Sequence, residues 1–255
     1  FREVRDDIFR DWLNYREGTE LAFTNSEYKK HVILFDEICE NILNNVSGSN
    51  YEYIQKQLNK LKNELWLLIQ LVGDGTRKLS TLKEGDVLNL VLPLGNGFSD
   101  PQDQQKSLLL VGGGVGIAPL LELGSYLKGK GYQPTFLLGA RSGKDLLQMN
   151  EFEKIGKVLV TTEDGTLGEK GFVTNHSVLT KEKFDKIYSC GPTPMMKAVA
   201  AFASQHSIDC EVSLENKMAC GLGACLCCVT ETKEGHKCVC SDGPVFNIKD
   251  LTWQI

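Results

Sequence analysis

Six of the nine cysteines lie within the 21 residues Cys220–Cys240. The run reads Cys220-Gly-Leu-Gly-Ala-Cys225-Leu-Cys-Cys228, then eleven residues, then Cys240. Thiolates gathered this densely are suited to holding metal. A C-x4-C-x2-C run with a more distant fourth cysteine is the plant-type [2Fe–2S] pattern. Cys220, Cys225, Cys228 and Cys240 are the expected ligands, with Cys225 and Cys228 able to share one iron and Cys220 and Cys240 closing the site. The last gap is shorter than in plant ferredoxins. A loop wrapped around a cluster must turn sharply and aim N–H groups at sulfur, which suits Gly221 and Gly223. The rivals are a structural zinc and a disulfide cluster. Zinc favours two short-spaced pairs, and Cys238-x-Cys240 is a poor second pair. Cys227 and Cys238 are surplus, and Cys227 is expected to point away into packing.

A second kind of chemistry is carried by glycines. Gly112-Gly-Gly-Val-Gly-Ile-Ala-Pro119 stands between an apolar run and a helical one. Gly112, Gly113, Gly114 and Gly116 would let a pyrophosphate approach the backbone at a helix N-terminus. Pro119 suits the first helical turn, where its missing N–H costs nothing. The competing reading is a tight turn that serves packing alone. Cys190-Gly191-Pro192 is a second strand-to-helix turn, and its thiol is placed to meet a nicotinamide ring or simply to be buried as a small side chain. NAD would dock across these two turns. Gly73-Asp-Gly-Thr76 could bind phosphate through its amides and hydroxyl, but as a lone motif it reads as a hairpin turn. The four histidines (31, 176, 206 and 236) lack ligand spacing and read as surface or loop residues. Glu215 reads as structural, and Arg141 after the second strand could suit a 2′-phosphate, although an exposed arginine there is unremarkable. Cluster and nucleotide loops without an acid–base set point to electron transfer.

Positioning these residues requires a particular order of elements. From Ser107 strands and helices alternate: strand Leu108–Val111, helix Leu120–Leu127, strand Thr135–Gly139, helix Lys144–Glu153, strands Val158–Thr162 and Lys186–Ser189, helix Thr193–Gln205, strand Asp209–Leu214. Alternation of this kind predicts a parallel sheet covered on both faces, with ligands at the strands' carboxyl ends. Before it, Trp66–Val72, Leu79–Leu82 and Val87–Leu92 read as strands, with a turn at Lys83–Asp86. Residues 1–63 differ in texture: they hold no proline and two glycines, against seven prolines and 23 glycines in the rest. Val4, Ile8, Trp12 and Tyr15, then Tyr28 to Val46, then Tyr51 to Leu65 recur at helical spacing. The fold expected is thus an α/β nucleotide-binding domain with a parallel sheet, a partial β-barrel remnant, a C-terminal [2Fe–2S] loop and an N-terminal helical segment. The divisions fall at 1–63, 64–100, 101–214 and 215–255.

With 255 residues and a net charge of −5, the chain carries no nucleic-acid footprint. Ser107–Leu121, its longest uncharged, largely apolar run, is too short to span a bilayer. No membrane association is expected. Few cysteines lie outside the loop, so a reducing cytoplasm is the simplest location.

Pro93-Leu-Gly-Asn-Gly-Phe98, Gly112–Pro119, Cys190-Gly-Pro-Thr-Pro-Met195, Glu215-Asn-Lys-Met-Ala-Cys220-Gly-Leu-Gly-Ala-Cys225 and Cys240-Ser-Asp-Gly-Pro-Val-Phe246 together resemble the electron-transfer subunit of dihydroorotate dehydrogenase B, a ferredoxin-reductase-like iron–sulfur flavoprotein. The resemblance covers about residues 64–255. It implies FAD held between a barrel and a nucleotide domain, a [2Fe–2S] cluster on Cys220, Cys225, Cys228 and Cys240, and NAD+ as acceptor. It also implies an FMN-containing catalytic subunit that oxidises dihydroorotate in pyrimidine synthesis, assembled with this chain as a heterotetramer. Flavin contacts map near Ile69, Gln70 and Leu71 and on Gly75 and Thr76. Residues 1–63 depart from the pattern: the family's barrel and its Arg-Arg-Pro-x-Ser-type flavin motif have no equivalent there. That segment is expected to be foreign to the family, leaving the flavin site incomplete. Two alternatives keep their place: an NAD(P)H–ferredoxin or sulfur reductase subunit, and a non-catalytic scaffold carrying a reductase remnant.

Overall fold

The computed structural model describes residues 67–69, 71, 73–83, 86, 88 and 94–253. The helical stripes expected in 1–63, the strand at 87–92 for the most part, and Gln70 lie outside them. The chain divides into two compact units, residues 1–94 and 95–255.

In the first unit the described element is helix α1, Asp74–Leu79. It corrects two expectations. Gly73-Asp-Gly-Thr76 is a helix start rather than a hairpin turn: the Thr76 hydroxyl accepts from Gly73 N–H at 3.1 Å and donates to Gly73 C=O at 3.0 Å. Leu79–Leu82 is the helix end and a following turn, not a strand. Residues 67–69 and 71 carry no strand either, and Leu67, Ile69 and Leu71 are exposed. The turn at Lys83 forms, closed by Asp86 N–H on the Lys83 carbonyl at 2.9 Å.

The second unit is built on the expected alternation. Strands β1 (Leu108–Gly113), β2 (Thr135–Ala140), β3 (Lys157–Thr162), β4 (Glu169–Lys170), β5 (Lys186–Cys190), β6 (Asp209–Ser213) and β9 (Val245–Asn247) form one sheet in the order β4-β3-β2-β1-β5-β6-β9. All neighbours are parallel except β6 and β9. Strands β7 (Val229–Thr232) and β8 (Gly235–Cys238) form a separate hairpin. Leu108, Leu109, Leu110 and Val111 are all buried, which is the unbroken apolar run a strand covered on both faces requires. Helix α2 (Ile117–Gly129) packs Ile117, Leu120, Leu123 and Leu127 inward, and helix α5 (Thr193–Gln205) packs Met196, Val199, Ala200 and Ala203.

The expected helix at Lys144–Glu153 is broken. A 3-10 turn at Gly143–Asp145 is followed by helix α3, Met149–Ile155, and between them Gln148 takes a left-handed conformation at φ 55° that no α-helix passes through. A short helix α4, Val178–Lys181, precedes β5. His176, expected on the surface, is buried beside it. Its Nδ1 accepts the Val178 N–H at 3.0 Å, which replaces the solvent it has lost. His206 and His236 are exposed as expected.

An arm of residues 95–99 is fastened across the β5–β6–β9 side. Phe98 meets Tyr188 edge to face, with ring centroids 5.4 Å apart. Lys186, 3% exposed, ion-pairs with Glu211 at 3.1 Å and Asp209 at 3.2 Å and donates to the Ser99 hydroxyl at 2.7 Å. Ser99 gives both its N–H and its hydroxyl to Glu211, and its carbonyl takes the Tyr188 hydroxyl at 2.9 Å. These partners satisfy a cation that would otherwise be costly to bury.

Candidate functional site

Chain order reverses between β1 and β5: β2 to β4 lie on one side of β1, β5 and β6 on the other. A crevice at the carboxyl ends of two such strands is where open α/β sheets receive ligands. Both glycine turns meet there. Gly112 and Gly113 end β1, Gly114–Gly116 is a 3-10 turn, and α2 starts at Ile117 with Pro119 in its first turn. Gly114 sits at φ +57° with open space around it. A side chain on Gly116 would lie 2.6 Å from the Cys190 carbonyl and the Gly191 backbone, and one on Gly113 2.6 Å from the Met195 sulfur. Glycine is therefore required by packing between the turns, while Gly114 leaves backbone open to a ligand. Met195, whose role the sequence did not suggest, packs against both turns.

Cys190 ends β5 opposite Ser213 in register, and Pro192 caps α5. Burial pushes the Cys190 thiol up to about 11, with the Glu215 charge adding to the effect and a hydrogen bond with Ser213 opposing it. The thiol is therefore protonated at neutral pH and presents a neutral, polarisable surface. Arg141 is exposed, and its carbonyl accepts the Asp164 N–H at 3.2 Å. Of the residues expected to touch flavin, Ile69 and Leu71 are exposed, and Gly75 and Thr76 lie in the first turn of α1, the Thr76 hydroxyl being bonded to Gly73.

The cysteine loop leaves β6 and returns as β9. Gly221 and Gly223 have φ of +73° and +77°, as the wrapping loop was expected to need, and Leu226 also has a positive φ of 56°. Backbone donors converge on the sulfurs. Cys220 Sγ accepts from Leu222 N–H at 3.3 Å and Cys225 N–H at 3.4 Å. Cys240 Sγ accepts from Gly223 N–H at 3.1 Å, and Cys228 Sγ from Cys240 N–H at 3.4 Å. Burial raises the Cys220 thiol, but the Leu222 and Cys225 N–H groups and the Cys225 thiol outweigh it and bring Cys220 down to about 7. Burial and the Cys228 thiol hold Cys240 up at about 11.

Two of these bonds link ligands to each other: the Cys225 N–H meets Cys220 Sγ, and the Cys240 N–H meets Cys228 Sγ. The second link is brought about by the β7–β8 hairpin, whose turn uses Gly235 at φ +110°. Its strands begin just after Cys228 and end at Cys238, so Val239 N–H reaches the Cys228 carbonyl at 3.2 Å and Cys240 comes alongside. The hairpin also accounts for the short last gap. Among the described residues all the cysteines are free, and no group of three or more His, Cys, Asp or Glu side chains converges to hold one ion. Four thiols, three of them met by backbone donors, suit a binuclear cluster, which asks two ligands of each iron, whereas a mononuclear zinc asks four at one point. Cys228 and Cys240 are buried at 1% and 2% exposure, while Cys220 and Cys225 are half-buried. Cys227 is half-buried rather than packed away.

Residues 215–252 match the iron–sulfur cluster binding domain of dihydroorotate dehydrogenase B, and residues 110–201 match the oxidoreductase NAD-binding domain. The chain is 45% identical over 191 residues to the dihydroorotate dehydrogenase B (NAD(+)) electron transfer subunit of Listeria monocytogenes serotype 4a, covering 73% of this chain and 74% of that one. It is 43% identical over 189 residues to the same subunit of Caldanaerobacter subterraneus, covering 72% and 74%. Among solved structures, a chain from a study of flavin-based electron bifurcation in an NADH-dependent reduced ferredoxin-NADP oxidoreductase is 38% identical. It aligns with a TM-score of 0.63, covering 72% of this chain and 67% of that one.

Proposed function

The chain belongs to the family of dihydroorotate dehydrogenase B electron transfer subunits, and from that premise we propose that it carries electrons from a dihydroorotate-oxidising partner to NAD+. Cys220 and Cys225 would hold one iron of a [2Fe–2S] cluster, and Cys228 and Cys240 the other. The observation that carries this reading is the set of four backbone N–H groups directed at three of these sulfurs. Such donors stabilise thiolate charge and set how readily a bound cluster is reduced. When bound, the cluster supplies one-electron transfer and FAD the conversion to hydride.

The chain's own residues do the placing. Gly112, Gly113, Gly114 and Gly116, with Pro119 in the helix's first turn, receive the pyrophosphate of NAD+ against the positive end of α2. Cys190, Gly191 and Pro192 form the wall beside the nicotinamide, where a protonated thiol neither attacks nor repels the ring. Ile69, Gln70, Leu71, Gly75 and Thr76 are the flavin contacts in this assignment. The partner is an FMN-containing catalytic subunit, joined in a heterotetramer of the cytoplasm. Among the described residues no helix is long and apolar enough to cross a membrane.

Chain purified without oxygen is expected to contain two irons and two acid-labile sulfides, with visible absorption that dithionite bleaches. Cys228→Ser or Cys240→Ser should cost most of the iron. One tightly held zinc per chain instead would reject the assignment. A second reading, transfer between NAD(P)H and ferredoxin, draws on the likeness to the ferredoxin-NADP oxidoreductase chain. Co-purification with an FMN subunit selects the first reading, and ferredoxin-dependent NADPH oxidation the second.

A further inference from the structure

We propose that Cys238, which has no ligand role, is a positioning residue of the cluster site: its thiol fixes the Gly223 peptide so that the Gly223 N–H stays on the Cys240 sulfur. The inference rests on the ligand assignment above.

Cys238 is the last residue of β8, and Cys240 lies two positions on. Val239 and Cys240 begin the turn that follows the strand, and that turn brings both sulfurs to the same residue. Gly223 gives its N–H to Cys240 Sγ at 3.1 Å, and its carbonyl takes a sulfur hydrogen bond from Cys238 at 3.6 Å. One residue is thus gripped by its donor and its acceptor at once.

The grip has a rigid base. Cys238 N–H donates to Asp242 Oδ2 at 2.6 Å, and the Cys238 carbonyl accepts from the N–H groups of Ser241 at 3.1 Å and Asp242 at 2.7 Å. Cys238 is buried at 8% exposure, and Gly223 beside it is half-buried. The glycine loop is also pressed onto this turn: a side chain on Gly223 would lie 2.9 Å from the Ser241 hydroxyl. Without the Cys238 thiol, the half-buried Gly223 carbonyl loses that partner, and the peptide is free to rotate toward another donor, water included. Rotation carries the N–H away from Cys240 Sγ. A donor on a ligating sulfur favours the more negative, reduced cluster, so its loss makes reduction harder.

The test is an electron paramagnetic resonance redox titration of the full chain, purified anaerobically, with iron and sulfide measured. Cys238→Ala is expected to keep two irons, to shift the midpoint potential to more negative values and to change the signal of the reduced cluster. Cys238→Ser, whose hydroxyl donates to the same carbonyl, should return both toward the parent. Cys227→Ala, a half-buried thiol beside a ligand, should move neither. An alanine variant with the parent's potential and signal overturns the inference, as does a serine variant shifted as far as alanine. Where alanine retains no cluster, a serine variant with a full cluster at the parent's potential supports it, and one without a cluster overturns it. A parent chain that binds no [2Fe–2S] cluster overturns the proposed function and this inference together. A loaded parent with an unchanged alanine variant overturns the inference alone.

Discussion

Gly116 has no room for one more carbon. A Cβ there would sit 2.6 Å from the Cys190 carbonyl and the Gly191 backbone, so Gly116→Ala must push the two nucleotide turns apart. Overpacking of this kind costs about 1–3 kcal/mol. Thermal unfolding should register that loss, and calorimetric titration should show weakened NAD+ binding. Unchanged binding would mean that the ligand does not use the junction of the turns. His176 carries a different prediction. Burial pushes its ring below the ordinary 6.5, opposed by the nearby Glu169 charge. The native state then binds the proton less readily than the unfolded chain. The stability that the neutral ring contributes is complete above about 6.5 and is lost as pH falls through the lower native value. Urea midpoints should therefore decline below pH 6.5, and His176→Asn, whose amide oxygen can accept the Val178 N–H, should flatten that decline. Ring NMR signals that titrate at 6.5 or above would contradict this. Neither property was legible in the sequence. Gly116 showed only that a turn was needed, and His176 looked superficial because nothing in its spacing reveals burial.

At the scale of elements, the buried Lys186 is what joins β5, β6 and the arm at Ser99. Lys186→Met leaves Glu211 and Asp209 without their cation, and stripping one partner from a buried pair costs about 3–5 kcal/mol. Urea unfolding should show a loss of that order, and a loss under about 1 kcal/mol would mean that water already screens the group. The main strands were readable because β1 and β2 are unbroken apolar runs between glycines and turns. Strand β9 was not: three residues after Gly243-Pro244 give no period to read, and β6 holds them in place. The β7–β8 hairpin was hidden by a polar turn at Lys233-Glu234, and with it the approach of the Cys240 N–H to the Cys228 sulfur. Spacing shows that four sulfurs are available, while the hairpin brings the last of them back beside the third. At Gly73–Thr76 the glycines suggested a turn, and the threonine's bonds to Gly73 instead begin a helix.

For the molecule as a whole, the two compact units differ in what they bring. The unit of residues 95–255 contains both the nucleotide crevice and the cysteine loop, whereas the expected flavin contacts lie in residues 69–76. With residues 1–63 read as foreign to the family, the chain purified alone should contain well under one FAD, measured by absorbance after acid release. A ratio of 1:1 would show that residues 1–94 complete the flavin site. The cysteine loop has a firmer foundation. It departs after β6 and returns at β9, and the Leu214 N–H meets the Pro244 carbonyl at 2.8 Å where the two ends cross. In polymer terms the loop is a ring already closed by the sheet. The entropy of bringing distant residues together grows only with the logarithm of the ring's length. Folding of the sheet therefore confines all four sulfurs to a small volume before any metal arrives. The same four cysteines on an untethered tail would face the full cost of that gathering at the moment of cluster assembly.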